Sequence, residues 1–176
     1  MALDPSQVVN NMKKSFNAYI AGGVTPVNVN FDEDPFGASG LDEWYAIRHR
    51  GLSSEPVGMG DLIEEDSLQQ GRFHVLKCEV SAWHRDDPQR AGLGDMADTL
   101  VSLCEAARVT LYDFADPDEP VNIGTMKMRS GNGSFTPVYG GGKASGLVSG
   151  SDSEMYAEGR IAGYVMEVEL VAVAEI

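Results

Sequence analysis

The chain has 176 residues, 43 % of them hydrophobic, enough to bury one core as a single domain over residues 1–176. With 13 Lys+Arg against 27 Asp+Glu its net charge is −14, which excludes tight duplex binding by counterion release but not a channel through which DNA slides without sticking. No apolar run approaches the roughly 18 residues of a membrane span, and Met1-Ala2-Leu3-Asp4-Pro5 lacks a signal's basic start and apolar stretch, so a cytosolic site of synthesis is expected.

Asp4-Pro5-Ser6-Gln7 reads as a helix start, with Asp4 as cap, Pro5 at the first helical position and Gln7 closing the box. Val8, Met12, Phe16 and Ile20 then form one apolar stripe, and Gly22-Gly23 ends the helix. Residues 24–43 read as extended and irregular, with a brief alternation at Val27 to Phe31. Trp44 to Arg50 reads as a strand, with Tyr45 and Ile47 on one face and Trp44, Ala46 and Arg48 on the other. Residues 51–71 read as a long acidic connection, longer than a hairpin needs.

Phe73 to His84 is the clearest inner strand, with Leu76, Cys78, Val80 and Ala82 on one side. Asp87-Pro88 opens a second helix, whose apolar spacing runs from Leu93 through Leu100 to about Arg108. Val109 to Phe114 is a short apolar segment before an acidic turn, and Val121 to Arg129 reads as a strand. Residues 130–158 are rich in Gly and Ser and read either as a flexible arm or as one that orders only against a partner. The chain closes on a long strand with Ala162, Tyr164, Met166, Val168, Leu170, Ala172 and Ala174 on one face. The expected fold is α+β: a mainly antiparallel sheet of about four strands with two helices on one face, in the order α-β-β-α-β-β.

No pattern of catalytic chemistry stands out. Asp32-x-Asp34-x-Phe36-Gly37 approaches a calcium loop, but Phe36 occupies a ligand position. Asp113, Asp116, Asp118 and Glu119 read as an exposed turn, bracketed by Pro117 and Pro120. His49, His74 and His84 have no metal-site spacing, and Cys78 and Cys104 read as buried free thiols. Gly140-Gly141-Gly142-Lys143-Ala144-Ser145 lacks the first glycine of a phosphate loop and its metal-binding hydroxyl. The expectation is a non-enzyme with no cofactor and no metal. Trp44 and Trp83 read as core edges or subunit contacts. With Arg48, Arg50 and Arg72 they are the candidate interface residues.

The N-terminal helix, the Thr25-Pro26-Val27 segment, the strand Trp44-Tyr45-Ala46-Ile47-Arg48, the run Gly71 to Val80, the helix segment Asp95 to Leu100 and the last strand Gly163 to Leu170 follow one another in a familiar order. In that order the chain resembles the tail terminator (tail-to-head joining) proteins of long-tailed bacteriophages and gene transfer agents. The resemblance implies a homohexameric ring in the virion at the tail–neck junction. Such a ring stops the tail tube protein from polymerising and meets a neck or head-completion protein, while DNA passes through unbound. It implies no catalytic residues. The other readings are a head–tail stopper or neck completion protein, an acidic monomeric binding or assembly module, and an enzyme with an unusual site.

Overall fold

The computed structural model describes residues 5–29, 42–56, 71–85, 91–136 and 161–175. In chain order the elements are α1 (Pro5–Gly23), β1 (Val27–Asn28), β2 (Glu43–Pro56), β3 (Gly71–Arg85), α2 (Ala91–Cys104), β4 (Arg108–Asp113), β5 (Val121–Ser130), β6 (Ser134–Phe135) and β7 (Ile161–Glu175). The strands form one sheet in the order β1-β2-β3-β7-β5-β4, with β6 added on β7.

The expected sheet of about four antiparallel strands is therefore corrected. Among the described residues there are seven strands, the element order is α-β-β-β-α-β-β-β-β rather than α-β-β-α-β-β, the β1–β2 pair is parallel, and the sheet curls into a half-barrel. The additional strands carry little signal of their own: β1 and β6 have 2 residues each and β4 has 6. Two expected loops are also shorter than they read. Residues 51–56 continue β2 and pair with β3 from Lys77 back to Arg72. Residues 131–136 are held on β7, where Gly131 N–H donates to Glu167 C=O (2.8 Å) and Thr136 N–H to Gly163 C=O (2.8 Å). The remaining parts of both expected loops lie outside the described residues.

The main core lies on the face that meets both helices. Val8, Met12, Phe16 and Ile20 of α1 and Leu93, Met96, Leu100 and Cys104 of α2 pack there. They meet Leu76, Cys78, Val80 and Ala82 of β3 and Met166, Val168, Leu170 and Ala172 of β7. Alternation along a strand sends every second residue to this face, so the other residues of β2, β3, β7 and β5 define an outer face.

α1 also closes one edge of the sheet. Tyr112 N–H donates to Ser15 Oγ (2.9 Å), and Phe114 N–H to Asn11 Oδ1 (3.2 Å). Asn11 Nδ2 donates in turn to Asp113 Oδ1 (3.2 Å). Asn11 and Ser15 are buried polar residues on an otherwise apolar helix face. Their role is to satisfy backbone donors of β4 that no neighbouring strand takes up, which keeps that edge from pairing with another chain. Ser15→Ala should cost about 1–3 kcal/mol, because it strands a part-buried N–H. A loss below about 0.5 kcal/mol in urea denaturation, well under that range, would show that water replaces the hydroxyl.

Candidate functional site: the outer face of the sheet

Register alone places the outer-face residues in rows. Trp44 lies opposite Trp83, Arg48 opposite Glu79, and Glu79 opposite Glu167. Lys77 lies opposite Glu169, and Glu169 opposite Arg129. On the last strand pair Lys127 lies opposite Arg108. Strands are about 4.8 Å apart, so each row brings side chains from distant parts of the chain into reach of one another.

The first row is apolar. Trp44 and Trp83 stack with ring centroids 6.4 Å apart and an interplanar angle of 15°, and both are buried, with Ala46 and Ile161 beside them. Trp83 Nε1 donates to Ser81 Oγ (2.8 Å), and the Arg85 guanidinium sits 5.2 Å over the Trp44 ring, a cation–π contact. Gly163 makes room for this stack: a Cβ there would come within 2.7 Å of the Trp83 ring.

The next rows are charged. Glu79 is nearly buried and takes hydrogen bonds on Oε2 from Arg50 Nε (3.1 Å) and Arg50 Nη2 (2.6 Å). Its Oε1 lies 3.7 Å from Arg48 Nη1. A register shift between His49 and Gly51 lets β2 deliver both arginines to one carboxylate. Beyond this triad is an open cleft of about 480 Å³, lined by Arg50, Lys77, Arg129, Gly131, Glu167 and Glu169 among others.

Charge is segregated onto this face. By register it carries Arg48, Arg50, Lys77, Arg85, Arg108, Lys127 and Arg129, seven of the chain's 13 cations. Against them, among the residues whose side chains are described, stand Glu79, Glu167 and Glu169, three of 27 acidic residues. Among the described side chains the outer face is thus net positive, in a molecule whose total is −14.

Four of the five candidate interface residues, Trp44, Arg48, Arg50 and Trp83, share this face. The side chain of the fifth, Arg72, lies outside the described residues. Burial fits the core-edge reading of the two tryptophans. Sequence reasoning passed over Lys77, Glu79, Arg129, Glu167 and Glu169. Their charge alternates with apolar neighbours along each strand, a signal legible only once the strands are paired. Of the acidic run expected as an exposed turn, Asp113 is the half-buried end of β4, while Asp116, Asp118 and Glu119 lie in the exposed segment that follows. Ala115 N–H donates to Asp113 Oδ1 (3.0 Å) and Asp118 N–H to Asp116 Oδ1 (3.0 Å), which fixes its shape. The calcium-like and phosphate-loop-like segments lie outside the described residues.

Among the described residues no group of three or more His, Cys, Asp or Glu is placed to hold a metal. Cys78 Sγ lies 3.4 Å from His49 Nδ1, an arrangement that invites comparison with a nucleophilic dyad. Burial pushes the Cys78 thiol up to about 12, with Lys13 pulling weakly the other way, and burial pushes Cys104 up to about 12 as well. Both are therefore neutral thiols at neutral pH. Both should resist alkylation at pH 8 until the chain unfolds. An unfolded thiol titrates near about 8.5, so the stabilisation these neutral thiols contribute is whole below that pH and is lost as pH rises through about 12. Urea midpoints should accordingly fall between pH 8 and 10. Rapid alkylation in native buffer would contradict this.

No helix among the described residues is long and apolar enough to cross a membrane. No family model matches the chain, and no curated protein matches it.

Proposed function

We propose that this chain is a structural subunit of a phage-type particle, a ring-forming tail terminator that caps the tail tube and meets the neck. The reading starts from the order of elements along the sequence. The feature of the fold that supports it most is the outer face: broad, net positive and arranged in rows across four strands. Such a face suits contact with another surface better than turnover of a small molecule. Strands of 14 and 15 residues add to this. At about 3.3 Å per residue they run close to 50 Å, longer than a typical strand of ~5–6 residues.

Heterologous contacts that close by rotation give a ring, and the tube protein and a neck protein are the proposed partners on its two sides. The place of work would be the virion, at the tail–neck junction. Electron microscopy of particles assembled without this protein tests the reading. Headless tails of uncontrolled length are expected. Full particles with normal tails, or this protein spread along the whole tube, would refute it.

A further inference from the structure

The charge distribution points to a contact between copies of the chain, and the inference rests on the ring reading above. We propose that the Lys77–Arg129 cleft of one copy receives the acidic turn Asp113 to Pro120 of the next. In the cleft, Lys77 and Arg129 stand on either side of Glu169 on three adjacent strands. Both cations are exposed, and no ion pair holds either of them among the described residues. Arg50 lines the same cleft while bound to Glu79.

The turn supplies the opposite charge. Asp116, Asp118 and Glu119 are exposed, and Asp113 and Asp116 tie its backbone through their own side chains. A turn already fixed in shape loses little freedom on docking. The turn cannot reach the cleft of its own molecule. Arg129 and Val121 are eight residues apart on β5, about 27 Å at ~3.4 Å per residue. The two patches are different surfaces, so pairing them is head-to-tail and propagates around an axis. Glu167 and Glu169 select among anions: only carboxylates that straddle Glu169 gain from Lys77 and Arg129 without facing a like charge. A uniformly charged phosphate backbone fits such a cleft less well.

Sedimentation of purified protein tests this with two charge-reversed variants, K77E/R129E and D118K/E119K, the second chosen to leave the Asp116 hydrogen bond that shapes the turn in place. All four side chains are exposed, so both variants should fold, as circular dichroism checks. Wild type is expected to assemble, less so as salt rises. Each variant alone should associate about tenfold or more weakly, and an equimolar mixture should recover assembly, because each mismatch is then met by its complement. Normal assembly of K77E/R129E, or a mixture that stays apart, overturns this contact and leaves the ring reading standing. Wild type and mixture both monomeric would remove the two together. Loss of DNA binding in K77E/R129E with assembly intact would reassign the cleft to nucleic acid.

Discussion

Replacing Phe16 by alanine is expected to cost about 3–5 kcal/mol of folding stability. Phe16 is fully buried at the middle of the α1 stripe, between Met12 and Ile20, and packs in the main core. Removing the ring deletes apolar contact and leaves a cavity that a helix fixed at several points cannot close. Val8 and Val24 hold its two ends in the core, and Asn11 and Ser15 tie its flank to β4 through hydrogen bonds. For a domain with a typical stability of ~5–15 kcal/mol this is a large fraction, and a fall of about 10 °C in Tm should accompany it. Phe16→Leu should retain most of the stability, since it keeps a branched apolar side chain in the site. Urea denaturation decides: the alanine variant should lower the midpoint without changing the slope. A loss below about 1 kcal/mol, far under the usual range for such a deletion, would mean that α1 sits loosely on the sheet.

What the sequence shows, and what it hides, divides along one physical line. Elements whose stabilisation is local are legible. The sequence of α1 opens on a Pro, repeats its apolar stripe every four residues and closes on paired glycines, and the helix spans Pro5–Gly23. The inner strand β3 and the closing strand β7 alternate strongly enough to be read along most of their length. Elements that exist because a neighbour supplies hydrogen bonds are not legible. Gly51-Leu52-Ser53-Ser54-Glu55-Pro56 reads as turn material, yet it is strand because β3 runs beside it. Ser134-Phe135 sits in a Gly-rich stretch and pairs only because β7 offers Val165 and Tyr164. α2 ends at Cys104, short of the expected Arg108, because Arg108 to Asp113 joins the sheet. The outer face follows the same rule. Trp44 and Trp83 are 39 positions apart, and Lys77 and Arg129 are 52 apart. Only pairing makes them neighbours, and a one-residue register slip would send each to the opposite face.

Glu79→Gln is expected to cost about 2–3 kcal/mol, somewhat less than the loss for breaking a fully buried ion pair. The carboxylate is the shared acceptor of Arg48 and Arg50, and its side chain is only 11 % exposed. The amide keeps the shape but removes the charge, and it presents a donor where Arg50 needs an acceptor. The Arg48 side chain, 20 % exposed, then lies on the sheet beside a neutral group. Arg50 is 52 % exposed and turns to water at little cost, which is why the expected loss falls below the buried-pair figure. The bridge also fixes the wall of the cleft, because Arg50 lines it and Glu79 orients Arg50. The double variant Glu79→Gln/Arg50→Gln should therefore be more stable than the sum of the two single losses implies, by about 1 kcal/mol of coupling. Additive losses in denaturant titrations would show that the two side chains act independently. Coupled losses would show that the charged row across β2 and β3 acts as one unit, the stiffness a docking face requires before any partner arrives.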